Sequence, residues 1–74
     1  MPELPRISGK EAIRAFERLG FHQVRQKGSH VVLRRDNKGC VIPLHDSLAL
    51  GTLRNAIRQA GVSVEEFVDA HAHK

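Results

Sequence analysis

Aromatic residues are scarce in this chain, which has three phenylalanines and neither tryptophan nor tyrosine. Proteins that hold single-stranded nucleic acid by stacking its bases need an aromatic platform, so contact led by the sugar–phosphate backbone fits better here. Cysteine is scarcer still. With Cys40 alone, no internal disulfide and no cysteine-cluster zinc site can form. A single cysteine in a strand reads as a small buried hydrophobe. No apolar run is long enough for a transmembrane helix, so no membrane partner is expected. The opening Met1-Pro2-Glu3-Leu4-Pro5 lacks the charged and apolar regions of a signal peptide, and the cytoplasm is the expected compartment.

What is present suffices for one small folded domain. A chain of 74 residues buries only about 60% of its unfolded surface, so its core must be thin. Hydrophobic residues at 41% and charged residues at 27% argue against disorder. The net charge of +4 is unevenly spread. Residues 1–60 carry eleven Lys/Arg against five Asp/Glu, whereas residues 61–74 carry Lys74 against Glu65, Glu66 and Asp69. The basic portion suits a polyanionic partner, because Lys and Arg displace counterions condensed on phosphates. A merely solvated basic face has the same composition, so charge alone decides nothing.

Local signals give the order of elements. Two prolines make residues 2–6 an extended lead-in. Ser8-Gly9-Lys10-Glu11 is a capping box, with Ile7 and Ala12 placed as a hydrophobic staple. Ala12, Phe16 and Leu19 follow at helical spacing, and Gly20 offers a left-handed stop. Phe21 to Gln26 reads as a short strand anchored by Phe21 and Val24, and Gly28-Ser29 as a turn. His30 to Arg35 has the β-branched density of a strand. Asp36-Asn37-Lys38-Gly39 reads as a second turn, with Asn37 and Gly39 suited to positive φ, and Cys40-Val41-Ile42 as a strand stopped by Pro43. Turns this tight require antiparallel neighbours. Leu50, Leu53, Ile57 and Ala60 mark a second helix ended by Gly61. Ser63-Val64-Glu65-Glu66 opens a short third one. The expected fold is α+β: a helix, a three-stranded antiparallel sheet, a helix and a short C-terminal helix, in the order of the double-stranded-RNA-binding fold. One domain spans 1–74, with an ordered core over about 7–68 and a tail over 69–74 that frays.

The residues able to do chemistry cluster at the first hairpin. Lys27-Gly28-Ser29-His30 combines a sharp turn, a hydroxyl and a histidine fixed at the start of a strand. Arg25, Arg34 and Arg35 lie near in sequence, and Arg34 shares the strand face of His30 by alternation. Imidazole titrates near neutral pH and can take the proton of a ribose 2′-hydroxyl, which then attacks the adjacent phosphate. Lys or Arg stabilises the charge that builds there. RNA brings its own nucleophile, so this chemistry needs no metal and no cofactor. A polar turn beside an ordinary histidine is the competing reading of the same residues.

Other positions carry paired readings. In Pro43-Leu44-His45-Asp46, His45 is either a general acid or phosphate contact oriented by Asp46, or a residue that satisfies loop amides. Arg54 and Arg58 either solvate the outer face of the second helix or reach phosphates. Lys10, Arg14 and Arg18 make a further stripe at four-residue spacing, diluted by Glu11 and Glu17. His22 reads as a surface residue, and His71 and His73 as a solvated tail, since no carboxylate or cysteine cluster completes a metal site around them.

Taken in order, several segments resemble one family. Arg25-Gln26-Lys27-Gly28-Ser29-His30 resembles the Gly-Ser-His signature region of HicA toxins, and Ile42-Pro43-Leu44-His45 resembles their Pro-x-His segment. Gly51-Thr52-Leu53-Arg54, Arg58-Gln59-Ala60-Gly61 and Val62-Ser63-Val64-Glu65-Glu66-Phe67 resemble the family's second-helix region and the turn after it. The resemblance runs from about Ser8 to Phe67. It implies a double-stranded-RNA-binding-like fold and a type II toxin–antitoxin toxin that cleaves mRNA independently of the ribosome. It also implies inhibition by a HicB-type antitoxin. The family's catalytic histidine corresponds to His30, with Gly28 and Ser29 as the supporting turn, and the match leaves the role of His45 open. Lys27, Arg25, Arg34, Arg54 and Arg58 are the expected phosphate-binding residues. The alternatives are a noncatalytic RNA-binding module and a basic protein-interaction domain.

Overall fold

The computed structural model describes residues 3–72. Helix α1 (Gly9–Arg18) is followed by strands β1 (His22–Lys27), β2 (His30–Arg35) and β3 (Lys38–Pro43), then by α2 (Leu50–Ala60) and α3 (Val64–Ala72). The strands form one antiparallel sheet in the order β1-β2-β3. The fold is α+β, with the element order expected for a double-stranded-RNA-binding-like domain.

Both capping boxes form. Ser8 Oγ accepts from the Glu11 amide at 3.1 Å, while Glu11 Oε1 accepts from the Ser8 amide at 3.3 Å. Ser63 and Glu66 repeat this exchange at the start of α3, with both bonds at 3.0 Å. Gly20 and Gly61 take the left-handed backbone that ends α1 and α2. Gly9 has a different constraint. A Cβ there would overlap the Pro43 carbonyl and press on Leu44 Cα, so only glycine lets α1 begin against the end of β3.

Alternation sorts the sheet into two faces. Val31, Leu33, Cys40 and Ile42 are buried beneath the helices, with α2 lying along β3 and α1 crossing nearby. The other face carries His30, Val32 and Arg34 on β2, and no helix covers it. The three phenylalanines form one cluster beneath the helices. Phe16 meets Phe21 edge-on at 5.4 Å and Phe67 at 5.0 Å, joining α1 to the entry of β1 and to α3. Cys40 is buried at 3% exposure, as a small core hydrophobe should be.

Three local expectations are corrected. Val24 is no anchor. It is the extra residue of a β-bulge, since Gln23 pairs with Leu33 and Arg25 with the next residue, Val32, and it stands 47% exposed. The second turn is shorter than expected, because Arg35 pairs with Lys38 and leaves only Asp36 and Asn37 in the loop. The positive φ of 55° falls on Asp36, and Lys38 and Gly39 already belong to β3. Finally, α3 continues through Ala72, past the point where the chain was expected to fray. Ala70 is buried against α1 and its carbonyl accepts from Arg18 at 3.1 Å. His73 lies outside the described residues.

Candidate active site

The first hairpin closes in two residues. Lys27 pairs with His30, and Gly28 takes a φ of +59°, the left-handed value that two-residue hairpins demand. Nothing lies within 4 Å of a Cβ built on Gly28, so the requirement there is conformational, not spatial. The turn is held from both sides. Gln26 Nε2 donates to the Gly28 carbonyl at 3.0 Å, and the Leu44 amide donates to the Ser29 carbonyl at 2.7 Å.

These bonds fix the backbone of His30 between two neighbours, Lys27 on β1 and Pro43 on β3. Its side chain is exposed on the uncovered face and makes no hydrogen bond within the described residues. The result is an imidazole on a rigid base, at a rung whose cross-strand residue is Lys27. That arrangement suits a group that must exchange protons with a bound substrate.

The remaining cations divide between two layers. Arg25 opposes Val32, and Arg34 opposes His22, so both lie on the face of His30. Arg34 is four residues from His30, or about 13 Å along the strand, a distance that serves a phosphate further along a chain and not the reacting one. Arg54 and Arg58 are exposed on α2, on the helix side of the sheet, and the structure does not bring them to the face of His30. Arg58 bonds Asn55 Oδ1 at 3.3 Å. Arg35, close to the others in sequence, turns the opposite way. Its guanidinium donates to the Leu19 carbonyl at 2.6 Å and lies 4.7 Å over the ring of Phe21, so it fastens the end of α1.

His45 sits two residues beyond Pro43, at the same end of the sheet as His30. Its carbonyl accepts from the Gly9 amide at 2.9 Å, tying the loop to the start of α1. No hydrogen bond joins its ring to Asp46 among the described residues, so the orienting contact weighed from sequence is not formed. His71, read as part of a solvated tail, instead approaches Glu11 Oε2 at 3.5 Å. No group of three or more His, Cys, Asp or Glu side chains among the described residues is placed to hold a metal ion.

One electrostatic feature is invisible in residue types. α1 starts against Pro43 and Leu44, and α2 ends with Gly61 against Lys38, so both helices point their N-termini toward the end of the sheet that carries His30. The uncapped start of α2 adds partial positive charge at that end, whereas the Glu11 carboxylate offsets that of α1. The one sequence hint was the start of α2, where Ala49 provides no side-chain cap and the first turn holds no acid.

The family described as HicA toxin of bacterial toxin-antitoxin matches residues 9–62 of the 74. The chain belongs to the HicA toxin family. Membership makes it a toxin of a toxin–antitoxin system, and such a system pairs each toxin with an antitoxin. The match begins at the first residue of α1 and ends just past α2, so it contains the whole hairpin around His30. No significant match was found among curated proteins or among solved structures. No helix among the described residues is long and apolar enough to cross a membrane.

Proposed function

We propose that this HicA-family chain is a ribosome-independent, metal-independent endoribonuclease that cleaves mRNA in the cytoplasm and is restrained by a HicB-type antitoxin. The observation that carries the reading is the cross-strand pair of His30 and Lys27 on a turn braced by Gln26 and Leu44. His30 accepts the 2′-hydroxyl proton, and the 2′-oxygen attacks the adjacent phosphorus. The bond to the 5′-oxygen breaks and that oxygen takes a proton from solvent, leaving a 2′,3′-cyclic phosphate and a 5′-hydroxyl. Lys27 lies beside the phosphate and opposes the charge gathering on its oxygens. Arg25 and Arg34 hold neighbouring phosphates on the same face, Gly28 and Ser29 shape the turn, and Arg54 and Arg58 take flanking RNA from the helix side.

General-base catalysis typically contributes about 10²–10⁴-fold, and His30→Ala should lower single-turnover cleavage of a defined RNA by that amount. The variant should still fold, because the side chain is exposed. Full activity of His30→Ala, or a 3′-hydroxyl end that vanishes with EDTA, would overturn the mechanism. Salt-sensitive binding without any cleavage would instead identify a noncatalytic RNA-binding module.

A further inference from the structure

The helix side of the sheet leaves β1 uncovered. All six residues of β1 are exposed, and a groove of about 220 Å³ runs between this strand and α1. Pockets that enclose drug-sized ligands measure roughly 300–1,000 Å³, so this space suits one flat group and not an extended ligand. Its floor is apolar and narrow, made by the half-buried Leu44 with the edges of Ile13 and Val31, which are 5% and 1% exposed. Its walls are polar and differ from end to end.

Lys10 and Arg14 project into the groove from α1, and Glu17 lies further along the same helix. Seven residues of helix separate Lys10 from Glu17 by about 10 Å. The cationic end is the one nearest the catalytic turn, because α1 starts against Leu44, and Leu44 is bonded to Ser29. Opposite stand the amides of Gln23 and Gln26, which pair with Leu33 and Val31 and so lie two rungs apart, about 6.7 Å along β2. Gln26 gives its Nε2 to Gly28, leaving its oxygen to accept, and Gln23 has no side-chain partner among the described residues.

We infer that this groove is a binding subsite for one purine nucleotide of the RNA substrate, within a few nucleotides of the one cleaved at His30. Its phosphate lies against Lys10 and Arg14, and its base lies on the apolar floor. A purine carries hydrogen-bonding groups along two edges and can meet both glutamines, whereas a pyrimidine ring is too narrow to span them. An exocyclic amine donates to Glu17, which would repel a second phosphate. His30 opens β2 on one face and Val31 follows it on the other, so a strand bending around Gly28-Ser29 passes from one site to the other within a few nucleotides. The inference rests on the nuclease reading for the identity of the polymer. It adds that cleavage prefers a purine at one position near the cut.

The test is a titration of the isotope-labelled full chain with AMP, CMP and ribose 5-phosphate, followed by the side-chain amide signals of Gln23 and Gln26. AMP should move both and bind at least about 5-fold more tightly than CMP or ribose 5-phosphate, the effect of one well-made hydrogen bond. Gln23→Ala, at an exposed position without a side-chain partner among the described residues, should narrow the preference for AMP over ribose 5-phosphate while its backbone spectrum stays folded. Equal affinity for all three ligands, or shifts confined to His22, Arg25 and Arg34 on the other face, would overturn the subsite. Mononucleotides need no cleavage, so the titration stands even where the nuclease reading fails. Base-independent binding by a chain that does cleave RNA would remove the subsite alone.

Discussion

At the scale of single residues, burial and exposure assign opposite characters to Cys40 and His30. Cys40 sits beneath the helices, and burial pushes its thiol up to about 12. Thiolate is the reactive form, and at pH 8 such a group holds roughly one part in 10⁴ of it. The folded protein should therefore resist iodoacetamide at pH 8, and label rapidly once denatured. Equal labelling rates in the two states would show that Cys40 is accessible. His30 is the reverse case, exposed on a fixed backbone with no side-chain hydrogen bond among the described residues. Its position was readable from Gly28 and the strand that follows, because a two-residue turn leaves only one place for the next side chain. The role of Arg35 was not readable. Sequence proximity grouped it with Arg34, but alternation sends it to the helix side, where a carbonyl and an aromatic ring capture it.

Among the elements, the helices announce themselves better than the strands, because their ends are set by local hydrogen bonds. Ser8→Ala and Ser63→Ala should each cost ~1 kcal/mol, as N-cap losses typically do, measured by urea denaturation. A loss below a few tenths would mean that the exchange with the following glutamate contributes nothing. The same boxes make stability depend on pH. Glu11 is held below its ordinary value of 4.5 by the Ser8 amide first and by His71 second, and Glu66 by the Ser63 amide. A carboxylate with a lowered folded pKa stabilises the fold above its unfolded pKa, and that contribution disappears as pH falls through the folded one. Melting temperature should fall between pH 6 and pH 3, and fall less in a Glu11→Gln, Glu66→Gln variant. Strand detail was less legible. Val24 has a strand former's chemistry, but a bulge depends on the pairing register of a neighbour that local sequence does not specify. Asp36 takes a left-handed φ because pairing of Arg35 with Lys38 leaves it no other place in the turn, although Asn37 and Gly39 looked better suited.

For the molecule as a whole, the order of elements dictated the antiparallel sheet, since its turns are too short for any other pairing. The division into a bare face and a covered face follows from the alternation of Val31 and Leu33 with His30 and Arg34. What the sequence did not disclose is how much of the core depends on α3. This helix lies beyond the family match at residues 9–62, and its first turn is acidic. Yet Phe67 is fully buried, its ring stands 5.0 Å from Phe16, and Ala70 accepts a hydrogen bond from Arg18. A chain of this size has a total stability of about 4–11 kcal/mol, at roughly 0.05–0.15 kcal/mol per residue. Truncating a buried phenylalanine to alanine costs about 3–5 kcal/mol. Phe67→Ala should therefore remove a large part of the stability and lower the melting temperature by more than about 10 °C, at 4–8 °C per kcal/mol for a domain this small. The check is a thermal melt followed by circular dichroism, with Glu65→Ala as the exposed control on the same helix. A shift no larger than that of the control would mean that α3 unfolds apart from the rest. A large shift with a single transition would mean that the helix outside the family match belongs to the same cooperative unit as the hairpin carrying His30.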